Sequence, residues 1–176
     1  MNSFLSNGDF PDRYFMELAL QEAGKAAEKE DIPVGAVIVY KGAVIGRGHN
    51  QREELQNPIA HAEILALEAA SLHLGSWRLH DCTLYVTLEP CIMCVGAILQ
   101  ARLSRLVFGC MDPKGGGVWS LYRLCEDPRL NHHPVVTQGI LEDECGTILD
   151  EFFTHLREKK RGVKRAERWP SPAEGA

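Results

Sequence analysis

The sequence predicts an α/β fold in three layers, a five-stranded mixed sheet covered by helices on both faces. Three observations lead there. Helical and strand-like apolar patterns alternate along the chain in the order α, β, β, α, β, α, β, short α, β, α. The first two strand-like runs are separated only by Lys41 and Gly42, the length of connection that closes an antiparallel hairpin. The last three runs are each separated by helical segments, so they are joined by crossovers and run parallel.

Each element has its own signal. Residues 12–30 place Phe15, Leu18, Ala19 and Ala23 at helical spacing between charged positions, giving an amphipathic helix that ends before Pro33. Residues 34–40 and 43–48 are apolar and β-branched, the two arms of the hairpin. Asn57-Pro58 marks a turn, after which Ile64, Leu65, Leu67 and Leu72 sustain a helix up to Gly75, with His61 and Glu63 on its first turn. Residues 83–88 read as a buried strand, and Pro90 opens a helix that carries Cys91 and Cys94 on its first turn and continues to Arg102. Residues 105–109 form a short strand, 121–125 a short helix, 135–141 the last strand and 142–160 a long terminal helix.

Composition bounds the function. A chain of 176 residues with 45% apolar and 24% charged residues is long enough to bury a proper core in one domain, expected over residues 1–160. No run approaches the roughly 20 apolar residues of a membrane span, and the first thirty residues lack the pattern of a secretory signal, so a cytoplasmic protein is expected. Six cysteines stand at 82, 91, 94, 110, 125 and 145. Without a secretory signal, the close Cys91-x-x-Cys94 pair points to metal or redox chemistry before disulfides. Charge is uneven: residues 157–168 hold seven basic side chains against two glutamates, a local +5 on a chain whose net charge is −5. That segment reads either as cations stabilising a helix C-terminus or as an arm for a phosphate backbone. Residues 161–176 are expected to form a basic and then disordered tail.

The chemistry concentrates in His61-Ala62-Glu63 and, after 27 intervening residues, Cys91-Ile92-Met93-Cys94. Two cysteines three apart at a helix start share a face, and unpaired backbone N–H groups there favour thiolate. With His61 they make three ligands for Zn²⁺, one short of the closed tetrahedron of a structural site, so the fourth position is left to water. Glu63 lies too far round the helix to share the direction of His61 and suits a proton carrier better than a ligand. Taken alone, each motif is weak. Cys-x-x-Cys also serves redox and structural zinc sites, and Cys82, Cys110, Cys125 and Cys145 read as small core residues.

In combination, His61-Ala62-Glu63 with Thr87-Leu88-Glu89-Pro90-Cys91-Ile92-Met93-Cys94-Val95-Gly96-Ala97 resembles the zinc-dependent cytidine and nucleobase deaminases. It is most similar to the bacterial tRNA adenosine deaminases that make inosine at the wobble position. The likeness extends to Pro33-Val34-Gly35-Ala36-Val37, Asn50, Asp112-Pro113-Lys114-Gly115, Asn131-His132, Gly139-Ile140-Leu141 and Phe152-Phe153. It implies a cytidine deaminase-like fold, one Zn²⁺ per subunit, a homodimer and a tRNA anticodon stem-loop as partner, with inosine and ammonia as products. It also implies that Asn50 meets the base, and that Asp112, Lys114, Asn131 and His132 contact flanking nucleotides. Read without the resemblance, Asn50 also suits a turn-stabilising residue and the other four suit loop caps and solvated charge; the resemblance favours the contacts. Phe152 and Phe153 suit either the core or base stacking. The chain departs from the family pattern at Trp119, where a small residue is usual, and at His133, where an arginine is common. Two rivals remain: a deaminase of a free base or nucleoside such as guanine or cytosine, and a zinc-containing RNA-binding module without turnover.

Overall fold

A computed structural model describes residues 9–168 of the chain. Helix α1 (Asp9–Glu28) leads into strands β1 (Gly35–Tyr40) and β2 (Ala43–His49), then the single turn α2 (Arg52–Leu55) and helix α3 (Ala62–Leu74). Strand β3 (Cys82–Leu88), helix α4 (Ile92–Gln100), strand β4 (Arg105–Cys110), strand β5 (Val135–Gln138) and helix α5 (Glu142–Arg168) complete the chain. The strands form one five-stranded sheet in the order β2-β1-β3-β4-β5. The β1–β2 and β1–β3 pairs are antiparallel; β3–β4 and β4–β5 are parallel, as the crossovers require.

Lys41 and Gly42 close the hairpin with φ of 49° and 79°. Two successive positive φ values match the twist of the flanking strands, and glycine adopts the second at no steric cost. Along β1, alternate residues enter opposite cores because side chains in a strand alternate between faces. Ala36 and Ile38 join Leu84, Val86, Leu106 and Phe108 against α3 and α4. Val37 and Val39 join Tyr85, Val107, Met16 and Ala19 under α1 and α5. Both faces are therefore covered, and the central strands read as continuous apolar runs.

Close packing places α3. A Cβ added to Gly48 would collide with the Ala62 carbonyl and one on Gly46 with that of Ala66, so bare backbone at these positions lets α3 lie directly on β2. That contact sets the height at which the start of α3 meets the sheet. The expected strand over 135–141 shortens to Val135–Gln138, because Gly139 turns with a φ of 81° and Leu141 sits at 54°. The expected short helix at 121–125 reduces to one 3₁₀ turn, Leu124–Glu126. Helix α5 continues past Lys160 through strongly helix-forming Lys, Arg and Glu to Arg168. Of the expected basic and then disordered tail over 161–176, residues 169–176 lie outside the described residues.

Candidate metal and catalytic site

Both metal-binding segments end a loop and begin a helix. His61 and Cys91 are not inside their helices, as the spacing suggested, but cap them. Their backbones are extended (φ/ψ −80°/151° and −73°/173°), while their carbonyls accept the first helical hydrogen bonds, from Leu65 and Val95. A cap normally spends its side chain on the free N–H groups of the first turn. Neither His61 nor Cys91 does so, and both side chains turn to one point instead. Pro90 stands just before the cap, where its missing N–H costs nothing.

His61 Nδ1 lies 3.5 Å from Cys94 Sγ and 3.8 Å from Cys91 Sγ, and the three donor atoms fall within 4.8 Å of one another. Bonds of about 2.3 Å to sulfur and 2.0–2.1 Å to nitrogen place donors about 3.6 Å apart at the corners of a tetrahedron. One imidazole and two thiols at these separations fit Zn²⁺, and two helix N-termini add positive potential that favours thiolate. In the cluster as it stands, Cys91 is drawn down by hydrogen bonding from the Cys94 thiol and by His61, whereas Cys94 is held protonated through Cys91 and by burial.

Glu63, the second residue of α3, is 4% exposed, and burial raises its carboxyl above the ordinary carboxylate range. Burial of a carboxyl beside this donor cluster favours its protonated form, which lets it hold a proton there. His61, Glu63 and Cys91 line a cavity of about 150 Å³ together with Asn50, Arg52, Leu88, Glu89 and Asp112. That is the size of cavity that admits a single aromatic ring.

Of the positions singled out from sequence, Asn50 and Asp112 reach this pocket; Lys114, Asn131 and His132 do not line it. Asp112 Oδ1 accepts the backbone N–H groups of Lys114 and Gly115, so it caps its own loop while facing the cavity. Lys114 is exposed. Arg102 donates to the Asn131 carboxamide oxygen at 2.9 Å, and His132 Nε2 lies 2.6 Å from the Leu103 carbonyl. His133 is exposed with Nε2 against the Asp127 carbonyl, and Trp119 carries the Arg123 guanidinium 3.9 Å from its ring centroid. Phe152 is half-buried and Phe153 exposed, packed edge to face.

Sequence reasoning missed the residues that hold this pocket in shape. Glu89 is 2% exposed and accepts backbone N–H groups from Asp112, Val118, Trp119 and Ser120, along with the Ser120 hydroxyl. Burial works against its ionisation, but the Ser120 hydroxyl and these N–H donors override it and hold the carboxyl below its ordinary value. The loop 111–120 is thereby tied to the segment that carries Cys91. Arg52, on the one-turn helix α2, was equally unannounced; its only signal is a cation two residues after Asn50.

Comparison with known proteins agrees with this geometry. Residues 10–110 match the profile of the cytidine and deoxycytidylate deaminase zinc-binding region. A tRNA-specific adenosine deaminase of Bacillus subtilis (strain 168) is 49% identical over 154 residues, covering 88% of this chain and 96% of that protein. A solved structure from studies of A-to-I editing by tRNA:A34 deaminases at the wobble position of transfer RNA superposes with a TM-score of 0.75 at 48% identity. It covers 77% of this chain and 99% of its own. Guanine deaminase from Bacillus subtilis shares the architecture less completely, with a TM-score of 0.53 at 39% identity over 56% of this chain and 63% of that one. On this sequence match, this fold and these zinc-spaced donors, the chain belongs to the tRNA-specific adenosine deaminases of the cytidine and deoxycytidylate deaminase family.

Proposed function

We propose that this protein hydrolyses the exocyclic amine of the wobble adenosine in a tRNA anticodon loop, releasing inosine and ammonia. The observation that carries this reading is a buried carboxyl, Glu63, beside a three-donor cluster at the floor of a ring-sized pocket, in a chain whose likeness to tRNA-specific adenosine deaminases runs nearly end to end. A base in a single-stranded loop enters such a pocket at a modest unstacking cost.

His61, Cys91 and Cys94 would hold Zn²⁺, which when bound supplies a Lewis acid that activates water. Glu63 would take one proton from the attacking water and deliver it to the ring nitrogen beside the attacked carbon, then take the remaining proton from the hydroxyl added to that carbon and pass it to the departing amine, which leaves as ammonia. Asn50, which lines the same pocket, fixes the base edge, and Leu88 and Val34 exclude bulk water. Asp112, Lys114, Asn131 and His132 serve the flanking nucleotides; the exposure of Lys114 and Asn131 leaves both open to RNA. The basic segment 157–168 adds phosphate attraction on an otherwise acidic body. Residues 1–160 act as one catalytic domain in the cytoplasm, and the basic residues of 161–168 follow it. A homodimer is supported by exposed Ile92, Leu121 and Tyr122 around the start of α4 and the neighbouring loop.

Zinc-loaded protein incubated with an anticodon stem-loop, free adenosine, cytosine and guanine tests the reading by release of inosine and ammonia. Turnover of the stem-loop adenosine alone is expected. Turnover of guanine alone would transfer the assignment to the free-base deaminases, and binding of the stem-loop without product would leave a non-catalytic module.

A further inference from the structure

Two buried carboxylates beside the site take no part in the chemistry above. Glu89 braces a loop; Asp31 has a more directed task. Asp31 lies in the turn after α1 and is 1% exposed. Its Oδ1 accepts the Ile32 backbone N–H at 2.9 Å and the Asn50 Nδ2 at 2.8 Å, and its Oδ2 accepts the Glu53 backbone N–H at 2.8 Å. It therefore gathers the end of α1, the residue following β2 and the turn α2 onto one group.

A carboxylate accepts hydrogen bonds and does not donate them, so Asp31 dictates which end of the Asn50 amide it meets: the NH₂ group. The other end is then assigned. Asn50 is 5% exposed, and its Oδ1 receives no hydrogen bond from any described residue. Among the described residues no fully buried side-chain nitrogen or oxygen lacks a partner, so this oxygen retains an opening. The opening against which Asn50 lies is the site pocket. Its backbone is pinned as well, with its N–H donating to the Val34 carbonyl at 2.9 Å, so the side chain has little freedom to turn away.

We propose that Asp31 is a positioning residue that locks the Asn50 amide with its carbonyl oxygen toward the pocket, so that the site selects a base presenting an N–H donor there, which in adenine is the exocyclic amine. The proposal rests on the reading of Asn50 as a base contact. Without the carboxylate the amide turns over, and an N–H donor then competes for the same place on the wall. A base reader of fixed polarity rejects the mismatched edge because a buried polar group would be left unpaired.

The test is a double-mutant cycle of Asp31→Asn and Asn50→Ala, read as kcat/KM on an adenosine stem-loop, with zinc content and Tm measured for each protein. Asp31→Asn is expected to lower kcat/KM by about tenfold or more with zinc retained, and by less than about twofold once Asn50 is alanine. A loss of equal size in both backgrounds would overturn the proposal, since it would mark Asp31 as a support for the turn and α2 alone. So would full activity of Asn50→Ala. The exchanged pair Asp31→Asn/Asn50→Asp keeps the cross-link and an acceptor facing the pocket; it is expected to recover activity that Asn50→Asp by itself loses, and no recovery counts against the proposal. If wild-type protein turned over guanine and not the stem-loop, the substrate reading would fall while the same cycle on guanine would still decide the role of Asp31.

Discussion

Glu63 occupies the second position of a helix whose cap is a metal ligand, and so combines burial with reach into the pocket. The role proposed for Glu63 is to carry a proton and not to supply negative charge, so the isosteric amide separates function from structure. Glu63→Gln is expected to lower kcat by about 10²–10⁴-fold while zinc stoichiometry, measured by elemental analysis, stays at that of the wild type. Loss of the metal with the activity would instead make Glu63 a ligand or its support. The capping positions of His61 and Cys91 matter for the same reason: each leaves its first-turn N–H groups free to polarise the cluster, a service that serine or aspartate caps would withdraw.

Between elements, the strongest polar tie lies on the far side of the sheet. Asp12 of α1 is 5% exposed; Arg105 of β4 grips both its oxygens at 2.7 Å, the Tyr85 hydroxyl of β3 donates to it at 2.8 Å, and Arg105 also reaches Thr137 of β5 at 2.9 Å. Burial alone would raise the Asp12 carboxyl, but hydrogen bonds from Arg105 and Tyr85 and the guanidinium charge hold it below its ordinary value. Folding therefore favours the ionised form. Its contribution is complete above the unfolded pKa of about 4 and is lost as pH falls through the lower folded value. Asp12→Asn is expected to cost about 3 kcal/mol at pH 7, with the gap to wild type narrowing in urea titrations carried to pH 3. A gap independent of pH would mean that the carboxylate is not what joins the helix to the sheet.

For the molecule as a whole, the metal cluster joins two helices that begin far apart along the chain, so its loading is linked to global stability. A ligand at about a thousand times its Kd stabilises a fold by about 4 kcal/mol, and for a chain of this size each kcal/mol moves Tm by about 2–4 °C. Chelation is expected to lower Tm by roughly 10 °C, reversibly on adding Zn²⁺, in wild type and Glu63→Gln alike. Cys94→Ser is expected to lose the shift. Scanning fluorimetry with and without chelator reads all three, and an unchanged wild-type Tm would show that the cluster does not close the fold around a metal.

Period-2 and helical patterns determined the element order, and a two-residue connection with twin positive φ values determined the hairpin, because these depend on backbone sterics among near neighbours. The pairing of His61-Ala62-Glu63 with Cys91 and Cys94 was also legible, since a metal demands particular donor atoms wherever the fold brings them. Other features were decided only in three dimensions. That Cys91 caps its helix follows from where β3 ends, that His61 does so follows from the packing of α3 on β2, and the early stop of β5 follows from the turn at Gly139. The roles of Asp31 and Glu89 could not be read from sequence because the partners that define them, Asn50 for Asp31 and Asp112 to Ser120 for Glu89, lie 19 to 31 residues away, and hydrogen-bond direction exists only once those partners meet. Sequence fixes which groups are available through local backbone preference and donor chemistry. Long-range packing alone decides which of them face the substrate, because a side chain's neighbours are set by the crossing of elements and not by its place in the chain.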